Sequence, residues 1–218
     1  MVAVPKPFEA PMFPLEATML PGQDLPLRIF EPRYSVLVRH CLDTGDPFGV
    51  VLIAGGREVG GGESRYDVGT LARITEYVDE GAGRYQLLCR TGERIRVCDW
   101  LPDDPYPRAT VQIWPDEPGA AVSAAQFRDT EDRVMALFER IATARGIELP
   151  GRDVVFDYQS DDIAADAGTL LYELASRVPM GPADGYAVLS ARSAADRLAA
   201  LAEAVDSVEA MVDFQLSD

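Results

Sequence analysis

A chain of 218 residues, 47% of them hydrophobic, is long and apolar enough to bury a core as one large domain or two modest units, which excludes whole-chain disorder. Twenty Lys and Arg against 36 Asp and Glu give a net charge of −16, which argues against a nucleic-acid backbone or an anionic membrane surface as the main partner. The acid excess is uneven, −4 over residues 1–115 and −12 over residues 116–218, and its simplest use is to keep helical outer faces in solution.

The first ten residues, with Pro5 and Pro7 and little apolar periodicity, predict an irregular arm. Met12 to Leu20 reads as a first strand and Pro21-Gly22 as a turn. Leu25, Leu27 and Ile29 then alternate with Pro26 and Arg28, the periodicity of a strand, until Glu31-Pro32 switches the chain to a helical pattern. Proline suits the first helical position because it has no N–H to leave unsatisfied, and Glu31 sets negative charge at the positive end of the helix dipole. Tyr34, Leu37, Val38, Cys41 and Leu42 recur at spacings of three and four, one apolar stripe able to fold back on the sheet.

After a loop at Asp43–Pro47, the apolar run Phe48–Ala54 is too short for a buried helix and reads as a central strand. Gly55–Gly62 is the glycine-rich stretch, but Gly61-Gly62 stands where a phosphate-binding loop needs Lys and then Ser or Thr, so it reads as a flexible sheet loop. Tyr66–Val78 and Arg84–Thr91 flank a turn at Asp79–Gly83 in a long hairpin, Gly92 breaks the chain before a strand carrying Ile95 and Val97, and Arg108–Trp114 completes the set. Seven or so short strands with hairpin connections predict a β-rich, partly closed barrel or sheet unit with one helix over residues 11–118.

Beyond Pro115–Gly119 the period changes. Ser123 and Gln126 form a capping-box signature for a helix over about 124–145 that Gly146 closes. Pro150–Ser160 is predicted as a loop with a short extended piece at Val154–Phe156. Asp162 is placed to cap a helix running through Arg177, Pro182–Leu189 starts a short helix, and a second capping box at Ser193 and Asp196 precedes a last helix lined by Leu198, Leu201, Val205, Val208 and Val212. Residues 119–218 are thus predicted as a helical bundle packed on the β-rich unit, an α+β protein.

Three blocks, Phe13-Pro14-Leu15, Leu20-Pro21-Gly22 and Leu25-Pro26-Leu27-Arg28-Ile29-Phe30-Glu31-Pro32-Arg33-Tyr34, resemble the N-terminal substrate-binding domain of Lon proteases. The similarity is to the stand-alone bacterial form of that domain especially, and to the corresponding domain of cereblon. It continues through Val68-Gly69-Thr70 and Gly92-Glu93-Arg94-Ile95-Arg96-Val97 and resumes at Leu171–Pro179 and Ala194–Leu201. The resemblance implies a PUA-like fold that recognises unfolded or degron-bearing protein clients in protein quality control, without a cofactor. It further implies a separate protease or chaperone as partner, because the Lon ATPase motif is absent and Lys6, the only lysine, leaves no place for a Ser-Lys dyad.

Catalytic chemistry finds little support in the residues themselves. His40 is the only histidine, and its neighbour Cys41 points about 100° away on a helix, so neither a His-rich metal cluster nor a Cys-His pair is available. Cys41, Cys89 and Cys98 share no metal spacing and read as buried free thiols. Asp103-Asp104 and Asp161-Asp162-Asp166 read as solvated surface and a helix cap rather than as a cation site. A basic stripe of Arg84, Arg90, Arg94 and Arg96 is interrupted by Glu93, which leaves RNA binding a minor alternative.

Peptide binding is the favoured reading, because sheet edges accept an extended chain and recesses accept its side chains. The candidate contact residues are Trp100, Tyr106, Phe48, Tyr85 and Trp114, with Trp100 and Tyr106, in a proline-rich loop, expected to be the exposed pair. Pro26, Leu27, Phe30, Glu31, Pro32, Arg33 and Tyr34 are assigned to architecture, Arg33 pairing with a nearby carboxylate. A small-ligand-binding protein or an enzyme on the same fold is the alternative, and it requires a convergent polar pocket around His40 or the paired aspartates. The absence of a leader pattern and of any apolar run of about eighteen residues predicts a soluble, cytoplasmic chain.

Overall fold

The computed structural model describes residues 5–55, 64–157 and 163–217, the side chains of 163–165 and 216–217 excepted. The chain divides into two compact units, Met1–Pro115 and Asp116–Asp218. Among the described residues the first unit holds six strands and one helix: β1 (Phe8–Leu15), β2 (Asp24–Ile29), α1 (Pro32–Thr44), β3 (Phe48–Gly55), β4 (Ser64–Gly81), β5 (Arg84–Leu101) and β6 (Arg108–Ile113). The strand order is β2-β5-β4-β3-β1-β6, with β5 also pairing β6.

That extra pairing closes five strands into a ring, β1-β3-β4-β5-β6, to which β2 is appended. It is not a clean barrel, because β5 serves two neighbours in turn. Its first half pairs β2 (Leu25↔Cys89, Ile29↔Tyr85) and its second half pairs β6 (Ile95↔Ile113, Val97↔Val111). Gly92 therefore does not break the strand as expected. It lies in a bulge, where Thr70 and Ala72 of β4 face Arg94 and Thr91 of β5, and the extra residue re-aims β5 from one partner to the other. Thr91 fixes the switch point: its hydroxyl donates to Leu20 O (2.6 Å) and accepts from Gln23 N (2.8 Å), so the turn before β2 is held to β5. The first strand also begins earlier than predicted. Phe8–Pro11 pair β6, so backbone hydrogen bonding recruits part of the predicted arm despite its prolines.

Two cores fill this unit. Met12, Val51, Leu71, Ile95, Val97, Ala109 and Val111 pack inside the ring. Leu25, Ile29, Tyr85, Leu87 and Cys89 form the inner face of the β2-β5-β4 end and receive the stripe Tyr34, Leu37, Val38 and Cys41 of α1, together with Phe13 and Phe48. Gly69 is required where β3 and β4 approach, because a Cβ there would stand 2.1 Å from Val50 O. Cys98, expected to be buried, is exposed, since it falls on the outward side of β5 next to the bulge; Cys41 and Cys89 are buried.

The second unit is helical: α2 (Ala124–Arg145), α3 (Arg152–Val155), α4 (Ile163–Ala175), α5 (Pro182–Ser190) and α6 (Ala194–Ser217). The contact boundary falls at Pro115/Asp116, slightly before the predicted 118/119. Both capping boxes form. Ser123 Oγ accepts from Gln126 N while Gln126 Oε1 accepts from Ser123 N, and Ser193 and Asp196 exchange the same pair of bonds. Gly146 closes α2 in the left-handed conformation (φ 63°). Val154–Phe156, predicted as extended, is instead mostly one turn of helix, because Gly151 O accepts from both Val154 N and Val155 N, and Arg152 in that turn pairs with Glu131 and Asp132. Asp162, the predicted cap of α4, lies outside the described residues.

A buried arginine organises the start of α6. Arg197 is fully buried, donates from both terminal nitrogens to Asp116 (3.0 and 2.5 Å) and from Nη1 to Gly168 O (2.9 Å), and lies 3.7 Å over the Tyr172 ring. A guanidinium taken out of water needs such a bidentate partner, and breaking the pair leaves an uncompensated charge.

Candidate functional site

The stretch leading into α1 does in the structure what its residues suggest, with one exception. Glu31 stands at the N-cap in an extended conformation, Pro32 opens the helix, and Arg33 pairs with Glu31 (3.1 Å) while lying 4.5 Å over the Tyr34 ring. Tyr34 stacks on Phe13 at 4.2 Å between ring centres. Ser35 donates its hydroxyl to Gly83 O in the β4-β5 turn, tying the helix to the hairpin tip. Phe30 is the exception. It is 61% exposed, so it is not part of the packed architecture that its sequence context suggests.

The β4-β5 hairpin is much longer than the strand beside it. β3 pairs β4 only from Ser64 to Ala72, so from Arg73 to Gly81 the outer edge of β4 has no strand partner among the described residues. Tyr77 (54% exposed) and Val78 (59%) lie on this open length. Register sets Val78 beside Gln86 and Gln86 beside Arg28, opposite to the buried row of Ile29, Tyr85 and Leu87. Directly paired residues share a face, so Val78 belongs to the outer face of this three-stranded blade, and Phe30 extends that face one residue past β2. Tyr77 pairs Leu87 on the inner face but emerges at the bare edge. The result is an unpaired strand edge flanked by two exposed apolar side chains, Tyr77 and Val78, and by the carboxylates of Glu76, Asp79 and Glu80, the last hydrogen-bonded to Gln86, while Phe30 lies across β5 at the β2 side of the blade.

The five aromatic residues singled out from the sequence are placed differently. Phe48 (1% exposed), Tyr85 and Trp114 are buried, Phe48 and Tyr85 in the core beneath α1. Trp114 is flanked by Arg94 and Arg96, whose guanidinium carbons lie 4.1 and 3.7 Å from its ring centre, and Arg94 Nε donates to Trp114 O (2.9 Å). That burial removes Arg94 from any basic stripe. Trp100 is not in a loop but near the end of β5, half-buried against the ring core, with Arg65 4.8 Å over its ring and its indole N–H donating to Asp67 (3.4 Å). Tyr106 is half-buried against the α1 core, and burial pushes its phenol up. The structure therefore does not bring these five together on one surface.

The His40 ring lies 6.4 Å from that of Tyr106, centre to centre. Asp103 is paired with Arg65 (3.3 Å). Asp161, Asp162 and most of Gly55–Gly62 lie outside the described residues. Burial pushes the thiols of Cys41 and Cys89 up to about 12, so neither is an available nucleophile at neutral pH. Among the described residues no three His, Cys, Asp or Glu side chains are arranged to hold a metal, and no helix is long and apolar enough to cross a membrane.

Sequence reasoning misses Tyr77 and Val78 because it reads Tyr66–Val78 as a uniform strand. The available signal is length: a hairpin of two 18-residue strands beside an eight-residue β3 must leave one edge uncovered.

Comparison with known proteins agrees with this fold. The chain superimposes with a TM-score of 0.64 on the Lon N-terminal domain protein from Xanthomonas campestris, at 23% identity over 90% of this chain and 98% of that one. It matches the N-terminal domain of the Mycobacterium avium complex Lon protease with a TM-score of 0.50 and 15% identity, over 97% and 99% of the two chains. At these identities the two structures show the fold alone. A curated relative, the Lon protease of Anaeromyxobacter dehalogenans (strain 2CP-C), is 27% identical over 112 residues, half of this chain but only 13% of that protease. The model of the ATP-dependent protease La (LON) substrate-binding domain matches residues 9–207. With that match over nearly the whole chain, the protein belongs to the LON substrate-binding domain family.

Proposed function

We propose that the protein is a non-catalytic binding module for unfolded or degron-bearing protein clients, and that the β2-β5-β4 blade receives them. The observation that carries this reading is the open edge of β4 from Arg73 to Gly81 with Tyr77 and Val78 exposed on it. An extended client segment adds there as a further strand, its backbone satisfying the edge while its apolar side chains cover the exposed ones. The curated relative is a Lon protease, matched over 13% of its length, and in this reading clients bound at the blade are presented to a separate protease or chaperone. Of the five aromatic residues, Trp100 and Tyr106 are half-buried and are the alternative contact on this unit.

Fluorescence anisotropy with a labelled unstructured peptide rich in aromatic and aliphatic residues tests it. Saturable binding in the micromolar range, weakened about tenfold by Tyr77→Ser or Val78→Ser and unaffected by Trp100→Ala, supports the blade as the site. Binding indifferent to both blade variants and lost in Trp100→Ala would move the site to the ring. No binding at all, with the protein folded, would overturn the client-binding reading.

A further inference from the structure

Along its open length β4 presents its side chains in a fixed order, divided by a bulge between Ile74 and Glu76. Before the bulge, Arg73 donates to Gly45 O (3.2 Å) at the end of α1, and Ile74 packs against the core beneath that helix. After the bulge the register runs unbroken, Glu76↔Leu88, Tyr77↔Leu87, Val78↔Gln86 and Asp79↔Tyr85. The edge offered to another chain therefore reads Glu76-Tyr77-Val78-Asp79, two apolar residues between two carboxylates, with Glu80 following, and all five are exposed.

Pairing also sets the faces. Tyr77 and Asp79 stand beside the buried Leu87 and Tyr85 on the inner face, Glu76 and Val78 beside Leu88 and Gln86 on the outer one, so each face carries one apolar residue and one carboxylate. Among the described residues none of the three carboxylates is ion-paired. Asp79 accepts from Gly81 N (2.8 Å) and Glu80 from the Gln86 amide, both neutral donors that leave the charge in place. On the adjoining β5, Arg84 lies opposite Gly81 at the tip and Arg90 is already paired with Asp24 (2.7 Å).

We infer, on the reading that extended clients pair with this edge, that it selects segments in which two consecutive apolar residues stand between two basic ones. Directly opposed side chains are the unit of strand pairing: opposite charges stabilise the pair and like charges oppose it. A guest strand then sets its apolar residues against Tyr77 and Val78 and its basic ones against Glu76 and Asp79. The order carboxylate, apolar, apolar, carboxylate reads the same from either end, so the preference holds for a parallel or an antiparallel guest. Charges on an edge strand normally repel a neighbouring chain. Here, past the bulge, they are all of one sign, so they repel an acidic strand, including the same edge of a second copy, and admit a basic one.

Anisotropy titrations of the full chain test this with three labelled unstructured peptides that differ only in carrying Lys, Gln or Glu on both sides of a central Phe-Val pair. The companion variant is Glu76→Gln/Asp79→Asn/Glu80→Gln. Its positions are exposed, and the new amides keep the acceptor oxygens that meet Gly81 N and Gln86, so charge alone is removed. The expected result is that the Lys peptide binds at least about fivefold tighter than the Glu peptide, with Gln between, and that the three affinities converge in the variant. If the Gln peptide binds and is weakened by Val78→Ser while the Lys and Glu peptides bind equally, the edge takes clients without regard to charge: the inference fails and the client-binding reading stands. A Lys preference undiminished in the variant is adhesion to an acidic chain as a whole and also overturns it. Binding of none of the peptides overturns both.

Discussion

The two ends of the β-rich unit solve the same problem in opposite ways. In the ring, β1, β3, β4, β5 and β6 each have a neighbour on both sides somewhere along their length, β1 pairing β6 through Phe8–Pro11 and β3 through Met12–Leu15, and the interior is filled by Met12, Val51, Ile95 and Val111. At the blade, β5 has two neighbours but β2 and the outer half of β4 have one each, and α1 covers only the inner face. Closed sheets have no edge to offer, whereas open ones must protect or use theirs. Here Pro26 and the charges of Asp24 and Arg28 guard the β2 edge, while the β4 edge displays Tyr77 and Val78. The difference sets a closed ring against an open strand edge, and it is that edge to which the proposed function assigns a client.

Substitutions should separate the two ends. The largest effect is expected in the ring: Ile95→Ala, at a fully buried position, should cost about 4 kcal/mol in urea unfolding through lost transfer energy and a cavity. A loss under about 1 kcal/mol would mean the ring core is not close-packed.

Next in size is a pH effect specific to the α1-blade core, which contains both raised thiols. Cys41 and Cys89 have folded values of about 12 against 9.0 for an unperturbed thiol. A folded state that holds its proton more tightly is favoured below pH 9, and stability falls as pH rises from 9 towards 12, because only the unfolded thiols ionise. Each thiol should remove up to about 1.4 kcal/mol per pH unit in that window, and Cys89→Ala should roughly halve the slope. A slope unchanged in that variant would assign the alkaline loss to other groups. The exposed Cys98 should react with a thiol reagent in the native protein while the other two do not.

Smaller still is the tie between helix and hairpin tip. Ser35→Ala removes the hydroxyl that bonds Gly83 O and should cost about 1 kcal/mol, with faster amide exchange confined to the tip. The smallest stability effect is expected at the edge itself, where Val78→Ser should fall within about 0.5 kcal/mol. A large loss at Val78 would show that its exposure is not the free surface on which the blade account depends.

Local chemistry makes most of the elements legible in the sequence. Ser123 with Gln126, Gly146 and Ser193 with Asp196 each mark a helix end through one or two hydrogen bonds within a few residues, Pro32 marks one through its missing N–H and fixed φ, and the structure puts helix ends there. Long-range features are hidden. The bulge at Gly92 looks like a strand break because the two partners of β5, β2 and β6, come from opposite ends of the unit. Arg197 reads as a polar residue on an amphipathic helix, and its burial rests on distant partners, the carboxylate of Asp116, 81 positions earlier, and Gly168 O. The aromatic residues mislead for a related reason. Aromatic side chains carry the same apolar area whether they fill a core or face a client, and Phe48, Tyr85 and Trp114 are inside, while the exposed Tyr77 and Val78 carry no distinguishing motif and Phe30 sits in a block that reads as architecture.

The central claim is that the open edge of β4 pairs with an extended client, and native-state amide hydrogen exchange tests it most directly. With saturating unstructured peptide, the amides of Arg73–Gly81 should gain protection, while those of the ring strands β1, β3 and β6 stay unchanged. Protection appearing in the ring strands instead, or peptide binding that leaves the β4 edge amides exchanging at their free rate, would contradict the account.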